Sequence, residues 1–294
     1  MTRSIAFVGL GAMGFAMATG LVKRQYRVAG YDVRPEARSR FEAAGGRCAS
    51  TAAEACNGAE ALVVMTVNAD QAEQVLFDAG ACAALPEGAS VIVMATCAPA
   101  RIAAIAERVI SAGRRFVDAP VSGGVVGAEA ATLTIMAAAD PETFRTNETL
   151  LRDMGSRLYH LGTRPGQGAA MKVVNQLLCG LHIAVAAEGL SLAEKEGIAP
   201  ATALEILSGS AAASWMLTDR GRRMIGADDR VTSAVDIFVK DLGLVLDAGR
   251  ASKTGLPLAA VAHQLFLAAS GMGLGDRDDS QVIEVYRAMQ GRKT

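Results

Sequence analysis

The sequence predicts an α/β fold: a doubly wound, mostly parallel sheet in the N-terminal part, followed by an all-α C-terminal part entered through one long helix. Three features predict it. Short apolar runs alternate with amphipathic segments as far as about residue 160, as expected for strands buried on both faces with helices crossing between them. The stretch 166–196 then runs without proline while its apolar residues keep helical spacing. Beyond it the strand signal vanishes.

Taken in order, Ser4–Val8 is an apolar strand that ends in glycines, and Ala12–Lys23 follows with helical spacing. The run 26–31 is a second strand closed by Asp32, and 35–44 is a helix with Pro35 in its first turn, where proline loses no hydrogen bond. Strands at 61–66 and 90–94 alternate with helices at 71–77 and 99–112, and further strands are expected at 115–119 and 133–138. The stretch 166–196 makes a helix of about thirty residues, roughly 45 Å long. Pro200–Ser208 and the segments 214–224, 233–252, 258–270 and 280–289 read as helices. The change of pattern places a boundary near 163, with a sheet domain over 1–163 and a helical domain over 164–294.

Composition narrows the function. The 294 residues suit two ordinary domains, and 51% hydrophobic residues can fill their cores without disulfide staples. With 29 basic against 30 acidic residues and an aromatic share of 4%, neither nucleic acid nor a polybasic membrane contact is expected. Cys48, Cys56, Cys82, Cys97 and Cys179 are odd in number and lack C-x-x-C spacing, which fits buried thiols in a reducing compartment. His160, His182 and His263 lie too far apart to suggest a ligand pair, so no metal is expected. The N-terminus lacks a signal-peptide layout, and no run approaches the ~18 apolar residues that span a bilayer. A soluble, cytoplasmic protein is the expectation.

The first strand runs into Gly9, Leu10, Gly11, Ala12, Met13 and Gly14. In this G-x-G-x-x-G pattern the first glycine permits the tight turn and the second lets backbone approach a pyrophosphate. The third allows close helix packing, and the helix N-terminus faces the phosphates with free N–H groups. Asp32 ends the next strand, where a carboxylate can accept both ribose hydroxyls and repel a 2′-phosphate. The pattern therefore predicts a Rossmann domain that takes NAD in preference to NADP, with Arg34 keeping NADP open as an alternative.

A second dense cluster is Asp118-Ala119-Pro120-Val121-Ser122-Gly123-Gly124. Ser122 offers a hydroxyl donor, and Gly123 and Gly124 let a carboxylate approach the backbone. On the long helix, Lys172 and Asn175 are three residues apart and share a face in an otherwise apolar stretch. A partly desolvated lysine there has the chemistry of a general acid/base. His182 lies further along near the same face and is either a contact to the substrate tail or a packing residue. Lys240 and Asp241 sit in a second helical segment with apolar surroundings, and Trp215 reads as a core or interface anchor.

These four segments in this order resemble the β-hydroxyacid dehydrogenase family, over essentially the whole chain. The resemblance implies Lys172 as the catalytic lysine, Ser122, Gly123 and Gly124 as donors to the substrate carboxylate, and Asn175 as a substrate-positioning amide. It implies cofactor contacts from residues 9–14, Asp32, Val67, Asn68, Thr96 and Lys240. Many members have a Leu-Pro pair after the third strand, where this chain has Thr66-Val67-Asn68, and Cys97 follows Thr96. Val67-Asn68, the Asn175 to His182 stretch, Ser214-Trp215-Met216 and the segment ending in Lys240-Asp241-Leu242 look most like a branch that oxidises a four-carbon sugar acid at C2 with NAD. A 3-hydroxyisobutyrate dehydrogenase or a semialdehyde reductase of the same family is the alternative. From a different class, an NAD-binding sensor would have no use for a proton acceptor at Lys172. The partners expected are a small hydroxy acid and further copies of the chain, as a homodimer or homotetramer.

Overall fold

The computed structural model describes residues 3–291. Nine strands and fourteen α-helices are described among them. The chain packs as two compact units that divide after Lys172.

In the first unit, β1 (Ser4–Val8), α1 (Ala12–Lys23), β2 (Arg27–Tyr31), α2 (Pro35–Ala43) and β3 (Arg47–Cys48) follow in order. Next come α3 (Ala52–Cys56), β4 (Ala61–Val64), α4 (Ala69–Glu73), α5 (Ala81–Ala84), β5 (Ser90–Val93), α6 (Pro99–Ser111) and β6 (Arg115–Asp118). The six strands form one parallel sheet in the order β3-β2-β1-β4-β5-β6. The order reverses between β1 and β4, and ligands bind outside the carboxyl ends of the strands at such a switch point.

Alternation along each strand builds both faces. Ala6, Val8, Leu62, Val64, Val91 and Val93 point to one side, where α3, α5 and α6 cover them with Cys56, Cys82, Ile102 and Val109. Ile5, Phe7, Val63, Ile92 and Val117 point to the other, under Met17 and Leu21 of α1 and Phe41 of α2. A predicted single helix at 71–77 proves to be α4 followed by a turn of π-helix over Gln74–Asp78, with Asn68 capping its start.

The expected strand at 133–138 is not part of the large sheet. It is β8 (Thr134–Ala137), between β7 (Val121–Ser122) and β9 (Arg157–His160) in a separate three-stranded sheet. β7 runs antiparallel to β8, and β9 parallel to it. Between these strands lie α7 (Gly124–Glu129) and α8 (Pro141–Met154), whose N-cap Asp140 accepts from the backbone of Glu142 and Thr143. The short β3, α3 and α5 carry too few residues to show a period in the sequence, and β9 is mostly exposed and makes no apolar run.

The long helix α9 covers Gln167–Lys195, within a residue of the expected 166–196 at each end. The second unit continues with α10 (Pro200–Ser208), α11 (Trp215–Met224), α12 (Val235–Ser252), α13 (Pro257–Ala269) and α14 (Ile283–Met289). Its core gathers Ile183, Leu190, Leu217, Phe238, Leu242, Phe266 and Ile283. Phe238 and Phe266 stack with centroids 5.2 Å apart. Buried charges tie α11 to the 3₁₀ turn Asp279–Val282. Arg220 makes a two-pronged pair with Asp279 at 2.9 and 3.0 Å, and Arg223 reaches Asp278 at 2.9 Å.

One expectation needs correction. Gln167–Lys195 and Pro257–Leu274 are long and apolar enough to cross a membrane by length and composition. Sequence reading missed this because the apolar residues are interrupted rather than continuous. α9 carries Lys172, Asn175, Gln176 and Glu188, and part of it is buried in the core, as in many soluble helical domains.

Candidate active site

The glycine turn folds as its spacing requires. Gly9 has φ +97°, and a Cβ there would stand 2.2 Å from the Met65 carbonyl oxygen at the end of β4. A Cβ on Gly14 would stand 1.8 Å from the Gly9 carbonyl oxygen, so these two glycines are fixed by packing. Gly11 is different. It is the N-cap of α1, and the nearest atom a Cβ would meet is an Arg34 guanidinium nitrogen at 3.6 Å. The backbone there is open to a bulky anion while the helix N–H groups behind it have no intrahelical partner, which fits a pyrophosphate.

Asp32 follows β2 and is buried. Its carboxylate accepts from Leu10 N at 2.8 Å, Arg34 N at 2.9 Å, Arg34 Nε at 3.1 Å and Arg34 Nη2 at 3.2 Å. Burial alone would raise its pKa, but the bonds from Arg34 and Leu10 outweigh it and hold the carboxyl below its usual range. Arg34 itself is mostly exposed, so its guanidinium can move while Asp32 stays anchored on Leu10. At the neighbouring strand end, Val67 is exposed and Asn68 caps α4 by accepting from Gln71 N at 2.9 Å. Thr96 is half-buried in the loop between β5 and α6.

The second cluster and the start of α9 meet in the same unit. Asp118 ends β6, and its Oδ2 accepts from Gly166 N at 2.9 Å and Ala169 N at 3.0 Å. A Cβ on Gly168 would lie 2.4 Å from the Met136 carbonyl oxygen and 2.9 Å from that of Asp118. A Cβ on Gly166 would lie 2.9 Å from the Pro99 carbonyl oxygen, three residues after Thr96. The first turn of α9 is thus pressed against the ends of β6 and β8 and against the start of α6. Lys172 stands four residues after Gly168, on the same helical face, and is 7% exposed.

Ser122 pairs with Thr134 of β8, and the chain then turns through Gly123 (φ +127°) and Gly124 (φ +62°) into α7. A Cβ on Gly124 would meet nothing within 4 Å, so the loop is glycine for its conformation and leaves open space over its backbone. Such a loop can hold a carboxylate.

In the second unit, Asn175 Nδ2 donates to Gln176 Oε1 at 2.9 Å, and Gln176 Nε2 to Asp241 Oδ2 at 2.5 Å. Lys240 Nζ donates to Asp241 Oδ1 at 2.5 Å. Asn175 and Lys240, assigned separately in the sequence, therefore belong to one polar chain. His182 is exposed on α9, and Trp215 is 56% exposed with Arg220 over its ring, so it is no core anchor. Among the described residues no group of three or more His, Cys, Asp or Glu side chains could hold a metal ion.

Sequence reasoning passed over the capping role of Asp118 and the packing role of Gly168. The first residue of the D-A-P segment and the glycine one turn before Lys172 were the available signals.

The fold and this site define a nicotinamide-dinucleotide oxidoreductase. Residues 4–162 match the NAD binding domain of 6-phosphogluconate dehydrogenase, and residues 166–286 match the NAD-binding region of NADP-dependent 3-hydroxyisobutyrate dehydrogenase. The chain is 42% identical to L-threonate dehydrogenase from Cupriavidus necator, over 99% of this chain and 98% of that one. It is 34% identical to 3-hydroxyisobutyrate dehydrogenase from Pseudomonas aeruginosa, over 89% and 90%. The crystal structure of 3-hydroxyisobutyrate dehydrogenase from Salmonella typhimurium superposes with a TM-score of 0.91 at 37% identity, covering 96% and 99%. The chain belongs to the β-hydroxyacid dehydrogenase family and is an NAD-dependent hydroxyacid dehydrogenase.

Proposed function

We propose that the chain oxidises L-threonate at C2 to the 2-oxo acid with NAD. The 42% identity to L-threonate dehydrogenase over nearly all of both chains carries this choice of substrate. Within the reading, Ser122, Gly123 and Gly124 receive the substrate carboxylate and Asn175 positions a hydroxyl. Lys172 enters as the neutral amine and takes the C2 hydroxyl proton on Nζ as the C–O bond becomes a carbonyl. NAD supplies the electrophilic carbon that accepts the C2 hydride. Residues 9–14 cradle the pyrophosphate, and Asp32 selects the unphosphorylated ribose. Val67, Asn68, Thr96 and Lys240 supply the remaining cofactor contacts. The burial of Lys172 supports this division of labour, because a lysine needed only for solubility stays in water.

A cytoplasmic homodimer or homotetramer is part of the same proposal. Val174, Leu178, Val185 and Leu192 are exposed along α9, and Leu258 and Val261 along α13, an amount of apolar surface that suits association between copies.

The test is NAD reduction, followed at 340 nm, with L-threonate, D-erythronate, glycerate and 3-hydroxyisobutyrate. L-threonate should give the highest kcat/KM. A clear preference for 3-hydroxyisobutyrate, the reading favoured by the match of residues 166–286, would replace the substrate and leave the class intact.

A further inference from the structure

The chain Lys240–Asp241–Gln176–Asn175 has a direction. Asp241 is 2% exposed, and its two oxygens are engaged by Lys240 Nζ and Gln176 Nε2. As a carboxylate it accepts and cannot donate, so the Gln176 atom facing it has to be the NH₂. Gln176 is therefore obliged to show its oxygen to Asn175, and that oxygen requires the NH₂ of Asn175. The second N–H of the same amide is directed to Cys179 Sγ at 3.3 Å. What Asn175 has left to offer a ligand is its carbonyl oxygen.

We infer that Asp241, acting through Gln176, locks Asn175 as a hydrogen-bond acceptor, and that this selects substrates with a second hydroxyl beside the one oxidised. The inference rests on the reading of Lys172 and Asn175 as substrate contacts. A hydroxyl undergoing oxidation has one proton, and Lys172 takes it. An acceptor at Asn175 cannot be satisfied by that hydroxyl too, and it is left unpaired by a monohydroxy acid. Lys172 and Asn175 lie three residues apart on one helix face, about 4.5 Å along the axis, a spacing suited to hydroxyls on adjacent carbons. Asp241 and Gln176 are positioning residues. They touch no substrate and set only which end of an amide the substrate meets.

Asp241→Asn is the informative change. Lys240 needs an oxygen, so the new amide turns its NH₂ toward Gln176, which must then reverse, and Asn175 after it. Asn175 would become a donor. In the wild type, kcat/KM for L-threonate should exceed that for 2-hydroxybutyrate by ~10–100-fold, and in Asp241→Asn this ratio should fall by at least ~10-fold. Any weakening of cofactor binding through Lys240 affects both acids equally and leaves the ratio unchanged. An equal loss on both acids would mean that Asp241 is structural only, and would overturn the inference.

Neutron diffraction from deuterated wild-type crystals supplies a measurement that needs no turnover. It should place the ND₂ group of Asn175 toward Gln176, and that of Gln176 toward Asp241. Either amide in the opposite orientation would overturn the inference, even if Asp241→Asn does not fold. Failure of every hydroxy acid to reduce NAD would refute the substrate reading instead, and the amide orientations would still decide this one.

Discussion

Asp118 Oδ2 accepts a hydrogen bond from Ala169 N at 3.0 Å, so the carboxylate that ends β6 holds the first turn of the helix bearing Lys172. Its other oxygen is buried with no partner among the described residues. Burial pushes the carboxyl up to about 6, against the lowering effect of the N–H groups of Ala169, Gly166 and Gly168. The native state therefore binds this proton more tightly than the unfolded chain, where the carboxyl titrates near 3.8. Its contribution to stability is full below pH ~4 and is lost as pH rises through ~6, a change of about 3 kcal/mol. Urea unfolding of Asp118→Asn and the wild type from pH 4 to 8 should show the variant gaining relative stability across that window. A constant difference would refute the titration.

Lys172→Ala should lower kcat by ~10²–10⁴ while the Kd for NADH, read by fluorescence, changes little. The two measurements together separate proton transfer from cofactor binding. A variant that turns over at near-normal rate would remove Lys172 from the chemistry.

The contact that places Lys172 can be tested one turn earlier. Gly168→Ala puts a Cβ 2.4 Å from the Met136 carbonyl oxygen and 2.9 Å from that of Asp118, both backbone atoms that cannot swing aside. The helix must lift, at a cost of about 1–3 kcal/mol. Turnover should fall with stability, and NADH affinity should hold, because Gly9, Gly11 and Gly14 are untouched. Wild-type stability in the variant would mean that the close approach at Gly168 does not exist.

Much of this site was legible because its chemistry is local in sequence. The glycine turn, Asp32 and the D-A-P-V-S-G-G loop each announce themselves within a few residues, and the proline-free stretch marks α9 almost to the residue. What could not be read depends on distant partners. Asp118 caps a helix 48 residues further on, and Gln176 finds Asp241 at a separation of 65, with nothing in either local pattern to show it. The strand at 134–137 has the composition of a central parallel strand, and its pairing with Val121–Ser122 on one side and Arg157–His160 on the other puts it in another sheet. Of the two expectations for Trp215, core or interface anchor, its 56% exposure excludes the first, which composition alone cannot tell from the second.

In the proposed function cofactor choice turns on Asp32 and Arg34, which are paired at 3.1 Å. Asp32→Asn keeps an oxygen for Leu10 N and so preserves the glycine turn, but it removes the charge that repels a 2′-phosphate. It also releases Arg34, whose guanidinium lies beside Gly11 and can then meet that phosphate. The ratio of kcat/KM for NAD to that for NADP should fall ~10–100-fold, the worth of one hydrogen bond to a charged group. Adding Arg34→Ala should return the ratio most of the way by removing the new phosphate partner, whereas Arg34→Ala alone should leave NAD preferred. If Asp32→Asn leaves the ratio where it was, the preference resides elsewhere and Asp32 serves only to hold Leu10.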